Sequence, residues 1–278
     1  MAGVIPSGLP RPSRSTRWLI AAGVAVVVVA GAIAVPLLLR SGAPQPAATL
    51  TDEPNGSDLG VNGVAFSPDG AMLATAYGDG NIDLWDVATG KLAATLTDPG
   101  GLPGGLPVFG LAFSPNGATL ATAGARTYLW DVATGTLTAT LTDPGGGTVN
   151  AVAFSPGGGT LAAADWDGST YLWDVATGKL TATLTDPSDG PDDQGVRGIA
   201  FSPGGGTLAA ADWDGSTYLW DVATGKVTAT LTDPSDEGSY GGDNNSVDAV
   251  AFSPGGGTLA TADEDGSTYL WDVATGKV

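Results

Sequence analysis

The residues in this sequence that could do chemistry are carboxylates, hydroxyls and tryptophans, because histidine and cysteine are both absent. That removes the commonest general base, the commonest metal ligand, every thiol nucleophile and every disulfide. The carboxylates recur at fixed places. Asp79, Asp167, Asp214 and Asp265 each precede a glycine, while Asp98, Asp143, Asp186 and Asp233 each follow a threonine and precede a proline. Paired carboxylates can hydrolyse glycosides. An aspartate repeated along a chain sets a turn shape more readily than it builds one asymmetric site, so no enzymatic activity is expected and no cofactor. Two acidic loops, DPSDGPDDQG at 186–195 and DPSDEGSYGGDNNS at 233–246, are rich in oxygen ligands. Neither has the spacing of a calcium loop, which needs about six to eight oxygens, so they read as solvated loops and no metal site is assigned.

Charge narrows the partners. All 29 acidic residues lie beyond Arg40, and only six of the ten basic residues do, so the chain from Ser41 onward carries −23. Such a surface repels phosphate backbones, which excludes nucleic acid and favours a basic partner. The 44 glycines and 19 prolines punctuate a chain that is still 42% hydrophobic, a composition suited to many short strands joined by turns.

The elements that must carry these residues begin with an anchor. Trp18 to Leu39 contains no charge over 22 residues. As a helix it would span about 33 Å, the thickness of a bilayer's hydrocarbon core. Three arginines, Arg11, Arg14 and Arg17, precede it and Arg40 follows. The positive-inside rule therefore puts residues 1–17 in the cytoplasm as a tail, 18–39 in the membrane as a signal anchor, and the rest outside. The alternative is a cleaved signal peptide, but the apolar run is longer than a usual signal core. Residues 40–46 read as a linker, and residues 47–278 as one repeat domain.

That domain repeats itself. The unit AFSPGGGTLAAADWDGSTYLWDVATGK fills Ala153–Lys179 and recurs unchanged at Ala200–Lys226, and looser copies begin at Ala65, Ala112 and Ala251. Trp85, Trp130, Trp173, Trp220 and Trp271 mark five copies, each followed by aspartate. Each unit holds four strand-like runs, ending in FSP, TLAAA, STYLWDV and TATLT. In STYLWDV the alternation sets Tyr171, Trp173 and Val175 opposite Leu172 and Asp174, as in a strand with both faces packed.

These residues resemble the WD-repeat family, in a membrane-anchored, bacterial-type arrangement. The resemblance implies an all-β chain, a β-propeller of five four-stranded blades preceded by one transmembrane helix. The run AATLTD at 47–52 precedes the first full unit, and the chain ends at Val278 without a fourth strand for the last. The propeller is therefore either closed by that N-terminal strand or left open and truncated, in which case self-association would follow. The histidine that ties the family's turn aspartate is missing, and the second repeat, TAGARTYLW, lacks the turn aspartate as well, so that blade should be the least well tied.

The resemblance also implies a partner-binding rim at the D-G turns. Trp166 and Trp213 stand there, together with the residues at the start of the innermost strands, Asn62, Asn150, Arg197 and Asp248. The expected function is a scaffold that binds a protein or peptide from the outer side of the cell membrane. A carbohydrate-binding module is the alternative class, since tryptophan beside aspartate suits sugar rings. A truncated repeat protein with little function is the third.

Overall fold

The computed structural model describes residues 49–50, 60–99, 106–187, 195–232, 234 and 246–278. The anchor, the tail and linker, and most of both acidic loops lie outside these residues. Among the described residues no helix is long and apolar enough to cross a membrane.

The described residues form nineteen strands in five antiparallel sheets, one per repeat. Blade 1 holds β1 (Val61–Phe66), β2 (Met72–Tyr77), β3 (Asn81–Asp86) and β4 (Lys91–Thr97). Blade 2 holds β5 (Gly110–Phe113), β6 (Thr119–Ala123), β7 (Thr127–Asp131) and β8 (Thr136–Leu141). Blade 3 holds β9 (Val149–Phe154), β10 (Thr160–Asp165), β11 (Ser169–Asp174) and β12 (Lys179–Thr185). Blade 4 holds β13 (Val196–Phe201), β14 (Thr207–Asp212), β15 (Ser216–Asp221) and β16 (Lys226–Thr232). Among the described residues blade 5 holds three strands, β17 (Val247–Phe252), β18 (Thr258–Asp263) and β19 (Thr268–Asp272). The expectation of four strands therefore holds for four blades. Beyond β19 the chain makes a single bridge, Asp272 to Lys277.

The innermost strands β1, β5, β9, β13 and β17 pack in series, the arrangement of a propeller. Each blade turns an alanine and leucine face to the blade that follows. Between blades 3 and 4, Ala151, Ala162, Ala164 and Leu172 meet Val196, Ile199, Leu208 and Trp220. The other three contacts repeat this composition. Alanine in the middle strand lets two sheets approach closely, while leucine and tryptophan from the partner fill the gap at near-crystalline density. The predicted alternation is observed: Tyr171 and Trp173 pack toward blade 2 and Leu172 toward blade 4.

The hairpins follow from local chemistry. In every ATG turn the aspartate after tryptophan accepts from the threonine hydroxyl and backbone N–H, as Asp174 Oδ1 does from Thr177 at 2.6 and 2.8 Å. The following glycine, Gly178 in that copy, takes the positive φ that closes the turn. These two bonds hold the carboxyls of Asp86, Asp131, Asp174, Asp221 and Asp272 below the ordinary range.

Inside the blades, Trp85, Trp130 and Trp271 donate their indole N–H to Thr75, Thr122 and Thr261 at 2.9, 3.2 and 3.1 Å. In blade 3 alanine replaces that threonine, as Ala163, and the buried Trp173 Nε1 has no partner. An unmet buried donor costs more than the bond itself would contribute. Replacement of Ala163 by threonine, the residue blades 1, 2 and 5 already accommodate there, is expected to raise unfolding stability by about 1 kcal/mol. Urea unfolding of the wild type and Ala163→Thr measures this, and a lower midpoint for the variant would contradict the assignment.

Candidate functional site

Antiparallel order sends the turns between second and third strands, and the connections between blades, to one rim. The FSP and ATG turns emerge on the other. All the candidate residues lie on the first rim, but their side chains do different things.

Asn62 and Asn150 reach to the next blade. Asn62 Nδ2 donates to Val108 O at 3.3 Å and Asn150 Nδ2 to Val196 O at 3.0 Å. Arg197, at the equivalent place on β13, donates to Asp248 Oδ1 on β17 at 2.8 Å. These four positions are ties between innermost strands. Next to them the strands come so close that a side chain at Gly198 would meet Asp248 O at 2.9 Å.

The two tryptophans also diverge. Trp166 is 48% exposed. Trp213 is half-buried, because the Arg197 guanidinium lies 3.9 Å from its ring centroid. The two are linked through Gly195, which sits against the Trp166 backbone and accepts from Trp213 N at 3.3 Å. The structure thus brings Trp166, Trp213, Arg197 and Asp248 into one patch across blades 3 to 5, with Asn150 at its margin. Asn62 belongs to blade 1 and stands apart.

The D-G aspartates close their own turns. Asp79, Asp167, Asp214 and Asp265 each accept the backbone N–H two residues on, at 3.0, 2.8, 2.7 and 2.6 Å. The tie that a histidine would make is supplied by tyrosine: Tyr171 donates to Asp167 Oδ2 at 2.8 Å and Tyr218 to Asp214 Oδ2 at 3.1 Å. Burial and this bond push the Tyr171 phenol up to about 12. Blade 2, without the aspartate, closes its turn by a backbone bond, Gly124 N to Arg126 O at 3.2 Å.

The T-D corner is buried rather than solvated, with Asp98, Asp143 and Asp186 each about 5% exposed. Asp143 Oδ1 accepts from Gly146 N, three residues on, at 2.5 Å. That loop folds over blade 3, where side chains at Gly145 and Gly147 would collide with Asp167 and Asp165. Asp165 is fully buried, accepts Asp167 N at 2.9 Å through Oδ1, and has no partner for Oδ2. Burial, reinforced by the Asp167 and Asp143 carboxylates, pushes its pKa up to about 7. Among the described residues no group of carboxylates is arranged to hold a metal ion.

Sequence reasoning missed Arg126. It is exposed and lines a groove of about 600 Å³ with Leu106, Tyr128, Thr140, Thr142 and Asp143. The signal was the shortened second turn, which carries arginine where the other four D-G turns carry aspartate.

Because the Asp165 pKa is raised on folding, its contribution to stability is full below the ordinary carboxylate value and is lost as pH rises through about 7. Replacement by asparagine keeps the bond to Asp167 N and removes the charge. Asp165→Asn is expected to raise the melting temperature at pH 8, by an amount corresponding to a few kcal/mol at most, and to leave it nearly unchanged at pH 4. Thermal unfolding by circular dichroism at both pH values checks the sign, and equal shifts at the two would refute a buried acid.

The model of the WD domain, G-beta repeat, matches residues 45–86, 135–174, 178–221 and 235–272. No curated protein matches the chain. The stretch left unmatched between 86 and 135 is the repeat whose turn lacks aspartate. With more than half of the chain matched and five radial sheets built from those repeats, the protein belongs to the WD-repeat family.

Proposed function

We propose that this chain is a non-catalytic scaffold that offers the rim patch of Trp166, Trp213, Arg197 and Asp248 to a basic protein or peptide. The observation that carries this reading is Trp166, a large aromatic left half in solvent beside a rigid, ion-paired neighbour. Aromatic and arginine side chains dominate binding energy at protein interfaces, and a fixed side chain loses little entropy on binding. The −23 charge beyond Arg40 favours a basic partner and accelerates its encounter. Nothing in this reading requires a cofactor.

The run from Trp18 to Leu39 supports display from a membrane, with the N-terminus cytoplasmic and the propeller outside the cell membrane in a bacterial-type arrangement. A sugar is the second ligand class that suits an exposed tryptophan beside Asp167.

Full-length protein in mild detergent, offered an array of lysine- and arginine-rich peptides and a glycan array, separates the two classes. Peptide binding that weakens tenfold or more in Trp166→Ala and Trp213→Ala, and weakens with salt, is the expected result. Binding untouched by both substitutions would overturn the rim assignment, and glycan binding with no peptide binding would favour the sugar reading. The membrane reading predicts that the chain stays with the membrane pellet through an alkaline carbonate wash. It also predicts that protease added to spheroplasts digests the propeller. Release by carbonate, or full protection, would count against it.

A further inference from the structure

Asp165 lies directly beneath the rim patch, fully buried, and its Oδ2 has no hydrogen-bond partner. The connection from blade 2, residues 143–148, closes over it as a glycine-rich lid. Asp143 Oδ1 accepts from Gly146 N, and Gly146 takes a φ of +67°. That bend lays Gly147 on the Asp165 carboxylate and Gly145 on Asp167 and the Tyr171 hydroxyl, so closely that neither glycine has room for a β-carbon. Thr148 O then accepts from Trp166 N at 2.9 Å. On its other side the main chain at Trp166 is held by Asp165 Oδ1, which accepts from Asp167 N at 2.9 Å. The exposed aromatic is thus fixed by the lid and by the carboxyl under the lid.

The groups that face Asp165 offer nothing to balance a charge. Asp143 comes from the lid, Asp167 from the D-G turn and Tyr171 from β11, and both carboxylates disfavour a third. From the blade 4 side Gly195 lies against the Asp165 carbonyl and brings no charge. Of the rim cations, Arg126 shares a groove with Asp143, and Arg197 makes the one ion pair among the described residues, to Asp248. Ionisation therefore leaves a carboxylate buried without water or cation, a state that burial holds off until about pH 7. The lid is the part that yields. Pro144, Gly145 and Gly146 are exposed and bury no apolar side chain, whereas β10 is hydrogen-bonded on both edges, to β9 and β11.

We propose that Asp165 gates the rim patch: protonated, it keeps the 143–148 lid shut and Trp166 fixed, and ionised, it lifts the lid to admit water and frees the Trp166 N–H from Thr148 O. As a control on binding this rests on the rim reading above; as a movement of the lid it does not. The hold on the lid is full below the ordinary carboxylate range and is lost as pH rises through about 7. A partner that needs Trp166 fixed selects the protonated form and binds more weakly at higher pH. That is opposite to the effect of charge alone, since one more carboxylate attracts a basic peptide.

Hydrogen exchange read by mass spectrometry on the full-length protein in mild detergent reports the lid without any partner. Wild type and Asp165→Asn are compared at pH 5 and at pH 8, so that the intrinsic pH dependence of exchange cancels in their ratio. Over residues 143–149 and 165–168 that ratio is expected to grow tenfold or more from pH 5 to pH 8, with wild type the faster, while the turn at 175–178 exchanges alike in both. That turn also serves as a control within the wild type. Exchange of the lid relative to it should rise tenfold or more over the same range, however well the variant folds. Ratios that stay constant with pH would overturn the gate. A basic peptide captured from the array should lose tenfold or more in affinity from pH 5 to pH 8 with wild type and keep its affinity with Asp165→Asn; equal losses would overturn control of binding by Asp165. Failure of every peptide to bind would count against the rim reading alone, because the exchange measurement stands without it.

Discussion

Everything in this structure depends on how closely one four-stranded sheet can lie on the next. Alanine at the middle of each second strand, with Ala74, Ala121, Ala162 and Ala209 fully buried, sets that distance. Leucines and tryptophans from the facing blade then fill the space. The same constraint explains the glycines on the innermost strands, where backbones converge and a β-carbon at Gly198 would crowd the neighbouring carbonyl.

With that packing in place, a single residue type does three different jobs. Aspartates after tryptophan are solvent-facing and accept two bonds in a turn, which favours their charge. Aspartates in the D-G turns accept a backbone N–H and, in blades 3 and 4, a tyrosine hydroxyl that stands in for the missing histidine. Asp165 is shut into the protein with one oxygen unmet, which disfavours its charge. The first group gives up stability as pH falls through its lowered pKa, and Asp165 gives it up as pH rises, because water is retained around one and excluded from the other.

The duplication that made blades 3 and 4 identical over 27 residues did not leave them equivalent. Trp166 faces solvent, while its twin Trp213 is covered by Arg197, a residue just upstream of the repeated unit. The connections between blades, rather than the blades, therefore break the symmetry and make one part of the rim distinct.

Much of this was legible in the chain. Period-two alternation, the D-G and T-G pairs and the recurrence of tryptophan determined strand number, hairpin positions and the stacking of sheets, because these depend on residues a few places apart. The sequence by itself also determined the charge and the lack of thiol and imidazole chemistry. Only the tertiary structure decided that Asn62 and Asn150 serve as ties between blades and that Asp98, Asp143 and Asp186 are buried. Those outcomes depend on which blade lies alongside, and that neighbour is 40 or more residues away, beyond the reach of any local pattern.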